Sequence, residues 1–279
     1  MNISFIVQGP VINNDEVTTI EVVDSIKKYY PNAEVVLSTW ENENVLGINY
    51  DRVILSKDPG CFSTSDGLVV NLNRQIVSTI EGLKVAKNNI VVKMRTDTVI
   101  TSGNLNGFIE KINLKAKHFK NYILVSELFT RDPLKIDILF HPSDLFLVGK
   151  KSDLINLFSI KLSSKNDLLD DNGKFKVFPE QYIWLQYLLQ YCKVNYFNRL
   201  KRTFRNLLES EKILHSNFII LSSDSLGVSF IHRIHNGWMF EKIHKEKLSF
   251  YYIRFRPFID VLTIVRIFRI KVLYMLRKL

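Results

Sequence analysis

Cysteine is nearly absent: Cys61 and Cys192 are the only two in 279 residues. They are widely separated and form no paired ligand motif, which fits reduced thiols better than a disulfide framework. Nowhere do about 18 consecutive apolar residues run without a charge, so no membrane-spanning helix is expected. The opening Met1-Asn2-Ile3-Ser4-Phe5 lacks a basic n-region and a small-residue cleavage site, so the expected location is the cytoplasm. Zinc-finger spacing and aromatic RNA-recognition motifs are also missing, and nucleic acid is not an expected partner. Acidic residues are in short supply: 28 Asp+Glu against 38 Lys+Arg give a formal charge of +10. That balance favours anionic partners, and the position of the charge must choose among them.

What is present is ordinary globular composition, 46% hydrophobic and 24% charged, without internal repeats or low-complexity segments. A chain of 279 residues is long for one domain and short for two. The expected division is a core over residues 1–247 and a basic amphipathic tail over 248–279. In that tail Phe, Tyr, Ile and Leu alternate with Arg254, Arg256, Arg266, Arg269, Lys271, Arg277 and Lys278. Such a segment suits an anionic membrane surface, with a packed terminal helix as the alternative.

Strands and helices alternate along the core. Ile3-Ser4-Phe5-Ile6-Val7-Gln8 ends at the breaker Gly9-Pro10, and residues 17–30 follow with Ile20, Val23 and Ile26 at helical spacing. Residues 33–40 and 52–56 read as strands before the Asp58-Pro59-Gly60 turn. Leu72, Ile76, Ile80 and Leu83 mark a helix over 71–87, with Asn73, Arg74, Gln75, Ser78 and Thr79 largely off its apolar stripe. Further strands are expected at 122–129 and 144–148, then a helix capped by Ser152 and running to Phe158. Residues 167–176 read as a polar loop, and Pro179-Glu180-Gln181 opens an aromatic helix. This order predicts a parallel, doubly wound sheet.

The chain is organised around Asn88-Asn89-Ile90-Val91-Val92-Lys93-Met94-Arg95-Thr96-Asp97, an apolar run that ends in charge. A buried strand is expected there. In open α/β sheets ligands sit at the carboxyl ends of the strands. Alternation sends Lys93, Arg95 and Asp97 to one side, at one crevice mouth. Two cations and a carboxylate suit a diphosphate and its metal; the plain alternative is Asp97 capping the turn with Arg95 as its ion-pair partner. Glu180 is a candidate general base or an ordinary first-turn glutamate favoured by the helix dipole. Asn73, Arg74 and Gln75 are candidate donor contacts or a solvated helix face. His141, Ser143 and Asp144 line an acceptor side, unless Asp144 only terminates a loop. His232 and His235, at a spacing that fits one helical face, are candidates for a late metal or phosphate contact, with packing or surface polarity as the commoner role.

The order Ile6-Val7-Gln8-Gly9-Pro10, Asn73-Arg74-Gln75, Lys93-Met94-Arg95-Thr96-Asp97, Phe140-His141-Pro142-Ser143-Asp144 and Pro179-Glu180-Gln181 resembles the WavE-type lipopolysaccharide-synthesis family over roughly the first two thirds of the chain. That family is similar to glycosyltransferases of the GT-A fold. The resemblance implies a GT-A-like α/β fold, with a Rossmann-like, mostly parallel sheet flanked by helices and a basic helical C-terminal extension. It implies transfer of a sugar from a nucleotide-sugar donor to a bacterial glycan or lipid-linked acceptor of lipopolysaccharide or capsule, at the inner face of the cell membrane. Gln8, Gly9 and Pro10 border the nucleotide in this reading. Asp97 takes the place of the last carboxylate of an Asp-x-Asp motif holding a divalent cation, Mn or Mg, and Glu180 takes that of the acidic base. Arg95 stands where the first carboxylate would be, so Lys93 and Arg95 also qualify to balance the diphosphate directly. The rival readings are a sugar nucleotidyltransferase and a non-catalytic basic membrane-associated adaptor.

Overall fold

Ile3–Gln8 contributes six consecutive buried residues, a run that only a strand covered on both faces accommodates. The structure, a computed structural model, describes residues 2–133 and 138–230, with 261, 263–266 and 268–269 of the C-terminal segment. The tail expected over 248–279 lies mostly outside the described residues, as do His232 and His235. In chain order the strands are β1 (Ile3–Gln8), β2 (Glu34–Trp40), β3 (Arg52–Ser56), β4 (Phe62–Ser63), β5 (Val69–Val70), β6 (Ile90–Arg95), β7 (Val99–Ile100), β8 (Ile123–Ser126), β9 (Leu147–Lys150), β10 (Phe218–Leu221) and β11 (Val228–Ser229). The α-helices are α1 (Thr19–Tyr29), α2 (Leu72–Val85), α3 (Lys151–Phe158), α4 (Lys165–Leu168), α5 (Pro179–Cys192), α6 (Phe204–Asn217) and α7 (Ser223–Leu226).

Seven strands form the central sheet in the order β10-β8-β9-β6-β1-β2-β3, flanked by helices, while β4–β5 and β7–β11 are separate two-stranded pairs. The sheet is mostly parallel, as expected, with one reversed strand. β9 runs antiparallel to both β6 and β8, whereas β1, β2, β3 and β6 are mutually parallel and β10 is parallel to β8. The reversal has a consequence for the site. Because Leu147 pairs with Lys93, the residues entering β9 arrive at the carboxyl end of β6.

Three local readings also change. The strand expected at 144–148 is displaced to Leu147–Lys150, and the helix after it is preceded by Lys150 rather than capped by Ser152. Ile20 is 42% exposed, because Val22, Val23 and Ile26 carry the inner face of α1. Ser78 and Thr79 are fully buried rather than off the apolar stripe of α2. Ser78 Oγ donates to Gln8 Oε1 at 2.6 Å, while Ser38 Oγ donates to the Ser78 carbonyl at 2.6 Å. These bonds let hydroxyls sit where a helix meets a sheet. Gly82 allows the close approach: a Cβ there would stand 2.4 Å from Ile6 Cγ2.

α5 is apolar on nearly every side because it is covered on nearly every side. Trp184 stacks on Tyr187 at 5.5 Å and meets Phe218 edge-on at 4.9 Å. Its amino end is fixed by Pro179 and by Gln181, whose Oε1 accepts from the Phe178 amide at 2.9 Å and whose Nε2 donates to the Leu139 carbonyl at 2.6 Å.

Candidate functional site

Where β1, β2 and β6 end, the chain opens a cleft of about 300 Å³. Gln8, Gly9 and Pro10 line it from the end of β1, Trp40 and Glu43 from the end of β2, and Arg95 and Thr96 from the end of β6. Asp58, Asn71, Arg74 and Gln75 close it from the loop after β3 and from the start of α2. Gly9 has φ of +127°, in the region that favours glycine, and a Cβ would stand 3.0 Å from Thr96 Oγ1. Its amide donates to Ser38 at 3.1 Å, which turns the backbone along the cleft wall.

Both arginines of the cleft are held by carboxylates. Arg95 donates from Nε to Asp97 Oδ1 at 2.9 Å and from Nη2 to Oδ2 at 2.6 Å. Burial opposes that guanidinium charge, but the hydrogen bonds and charge of Asp97 more than offset it and raise the pKa above its ordinary value. Arg74 forks onto Asp58, with Nε–Oδ1 at 2.8 Å and Nη2–Oδ2 at 2.6 Å, and its Nη1 donates to Asn71 Oδ1 at 3.0 Å. Hydrogen bonding from Arg74 holds the Asp58 carboxyl below the usual carboxylate range.

Behind the cleft lies a buried cluster of charge. Lys93 is fully buried rather than at the crevice mouth; its Nζ donates to the Asp144 carbonyl and lies 5.9 Å from the Phe158 ring centroid. Burial lowers its pKa to about 8, with the charge of Asp144 opposing the shift. The Asp144 carboxyl is pushed up by burial and then by the charge of Glu180, against the pull of Lys93 and a hydrogen bond from Gln75. Glu180 Oε2 stands 3.4 Å from His141 Nε2. Burial works to raise the Glu180 pKa; the charge and hydrogen bond of His141 outweigh it, and the carboxyl lies below its ordinary range. Gln75 joins the two regions, lining the cleft and donating to the Asp144 carbonyl at 3.4 Å.

The structure thus brings Gln8, Gly9, Pro10, Arg74, Gln75 and Arg95 to one cleft, with Lys93, His141, Asp144 and Glu180 clustered beside it. Asn73 and Ser143 lie outside the lining of this cleft. Asn73 turns away to clamp Ser163, donating to its carbonyl at 2.9 Å and accepting from its amide at 2.8 Å. Ser143 is 2% exposed; its amide donates to Thr130 Oγ1 at 3.0 Å, its Oγ accepts from the Leu145 amide at 3.3 Å, and it lines a small pocket with Asp144 and Glu180. Trp40, Glu43, Asp58, Asn71 and Thr96 line the cleft and escaped the sequence reading. For Trp40 and Thr96 the signal was available, since both stand at the carboxyl ends of strands.

A divalent cation needs carboxylate oxygens that face it. Both oxygens of Asp97 instead face Arg95, the residue is 5% exposed, and among the described residues no group of three or more His, Cys, Asp or Glu side chains is placed to hold a metal ion. As arranged, with both oxygens engaged by Arg95, Asp97 does not present a metal ligand.

Sheet and cleft together define an open α/β protein with a ligand-sized crevice at the carboxyl ends of its parallel strands. Within that class the chain belongs to the WavE lipopolysaccharide synthesis family, whose model matches residues 3–279. The match extends the resemblance from the first two thirds to essentially the whole chain. No curated protein matches the sequence. Among solved structures, the chain is similar to CMP:2-keto-3-deoxy-manno-octonic acid synthetase complexed with CTP, at 9% identity over 79% of this chain and 89% of that one, with a TM-score of 0.42. It is similar to S. aureus TarS 1-349 at 15% identity over 68% of this chain and 56% of that one, TM-score 0.39. It is also similar to HddC from Yersinia pseudotuberculosis complexed with GMP-PN, at 10% identity over 55% and 78%, TM-score 0.30. The chain therefore spans little more than half the length of TarS 1-349. No helix among the described residues is long and apolar enough to cross a membrane.

Proposed function

We propose that the chain is an inverting glycosyltransferase with a GT-A-like core, moving a sugar from a nucleotide-sugar donor to a glycan or lipid-linked acceptor of bacterial lipopolysaccharide or capsule. The observation that carries this reading is a single arrangement: the cleft with Arg74 and Arg95, joined through Gln75 to the buried carboxylate–histidine cluster. The indole of Trp40 offers a flat apolar wall to a base. Each arginine comes with a carboxylate partner, so the diphosphate is met by directed N–H groups more than by net positive charge. Asn71 makes no side-chain cap on α2, and an anion is favoured at that helix end.

In the proposed step the acceptor oxygen attacks the anomeric carbon, and the bond from that carbon to the diphosphate breaks, its electrons leaving with the phosphate oxygen. The acceptor proton passes to Glu180. His141 keeps the Glu180 carboxyl ionised at neutral pH, ready to receive it. Lys93 balances the negative charge of Asp144 and Glu180.

The test is a thermal-shift screen of nucleotide sugars in chelating buffer, followed by product analysis. The reading predicts stabilisation by at least one nucleotide sugar and release of a nucleoside diphosphate on transfer. Consumption of a nucleoside triphosphate and a sugar phosphate with release of pyrophosphate would replace it by nucleotidyl transfer. A salt-sensitive nucleic-acid complex without nucleotide-sugar binding would replace it by the adaptor.

A further inference from the structure

In the C-terminal segment, residues 261, 263–266 and 268–269 are helical. At about 100° per residue, Val261, Ile264, Val265 and Phe268 fall within one stripe about 100° wide, and Thr263 and Arg266 fall on the opposite side. Among the described residues, the polar side chains of this helix turn inward and the apolar ones outward. Thr263 is fully buried, and Arg266 meets Asp132 at 2.8 Å and also pairs with Glu211, both carboxylates being 1% exposed. The apolar stripe faces outward, with Val261 57%, Ile264 45%, Val265 59% and Phe268 69% exposed. The ion pairs of Arg266 tie the inner face to the core, and the outer apolar stripe lacks a cover among the described residues.

Charge selects the occupant. Between 248 and 279 stand Arg254, Arg256, Arg266, Arg269, Lys271, Arg277 and Lys278 against Asp260 as the sole acidic residue. Arg266 is spent on the two carboxylates beneath it, and Arg269 is exposed and borders the stripe. An apolar stripe edged by arginine in a strongly basic segment matches an anionic lipid interface, where side chains enter the acyl boundary and guanidinium groups meet lipid phosphates. A second copy of this chain matches poorly, because it would bring the same cationic excess to both sides.

We infer that Val261, Ile264, Val265 and Phe268 form the insertion face of a peripheral anchor for anionic bilayers, held to the core by Arg266.

The experiment uses the full chain with phosphatidylglycerol vesicles, phosphatidylcholine vesicles and the double variant Val265→Asp/Phe268→Asp. Both substituted residues are exposed, and circular dichroism with the thermal midpoint reports whether the fold is retained. Leu46→Asp, at an apolar residue 82% exposed elsewhere, is the control. Wild type and Leu46→Asp are expected to co-sediment with phosphatidylglycerol vesicles, to bind phosphatidylcholine at least tenfold more weakly, and to keep part of their binding in high salt, since apolar insertion is not screened. The double variant is expected to lose binding at least tenfold. Undiminished co-sedimentation of a folded double variant overturns the inference. So does sedimentation velocity showing a dimer that the double variant dissociates, with no vesicle binding by wild type.

Discussion

Glu180 and His141 carry the proton chemistry of the proposed step, and their pairing makes a prediction about pH. Burial alone would leave Glu180 protonated further into the neutral range; His141 reverses the direction. With His141→Gln this partner is lost, and the Glu180 pKa rises. The acid limb of kcat/KM is then expected to move to higher pH, with activity at the alkaline side of that limb kept within about tenfold. A pH–rate profile in which the acid limb stays in place would remove His141 from this role.

Lys93 makes the opposite kind of statement, about stability. Its folded pKa of about 8 lies below the ordinary value of 10.5. Between those values the unfolded chain binds a proton that the folded chain does not, so stability rises with pH across that window. The full difference corresponds to about 3 kcal/mol. Urea unfolding of wild type and Lys93→Met from pH 7 to 10 is expected to show wild type gaining stability relative to the variant by an amount of that order. Parallel curves would mean that Lys93 is not the strained cation described here. The variant is expected to lose transfer activity whatever its stability, because Asp144 and Glu180 lose their shared counter-charge.

At the scale of elements, the antiparallel β9 brings Asp144 to Lys93, and nothing in the sequence of the strand announces its direction. β1, β2, β3 and β6 were legible because their apolar runs are bounded by breakers or charge. α2 and α5 were legible as helices, and Gln8 with Gly9 and Pro10 as a wall of the cleft. The buried position of Ser78 was hidden, since it rests on a hydrogen bond to Gln8, 70 residues away. Lys93 was misplaced for a related reason: alternation assigns it a face, while burial depends on what covers that face. Asn73 shows the same limit, because its partner Ser163 lies 90 residues on.

The latch between the C-terminal helix and α6 belongs to this scale too. Glu211 of α6 is held at a pKa of about 2: burial opposes ionisation, and the charge of Arg266 with the hydrogen bond and charge of His215 outweighs it. Because the folded value is depressed below 4.5, its stabilisation is complete above pH 4.5 and is lost as pH falls toward 2. Removing one partner of a buried pair costs about 3–5 kcal/mol. Arg266→Ala is therefore expected to speed hydrogen exchange in peptides spanning residues 261–269 at neutral pH, and wild type to show the same change only in acid. Unaltered exchange in the variant would mean that other contacts hold the helix.

At the scale of the whole molecule, the family match over residues 3–279 covers core and tail alike. The two halves of the proposal divide the work: the sheet presents a cleft and a base to the reactants, and the tail brings that core to a lipid-bearing surface. The net charge of +10 was legible from composition, yet only the structure distinguishes Arg266, turned inward, from Arg269, left at the surface.

The most direct test of the account compares wild type with Glu180→Gln, a change close in shape that removes the charge. Calorimetry with the nucleotide sugar found by the screen would report binding, and single-turnover kinetics would report the chemical step. The account predicts donor affinity within about twofold of wild type and transfer slowed by roughly 10²- to 10⁴-fold. Transfer at the wild-type rate in Glu180→Gln would contradict it.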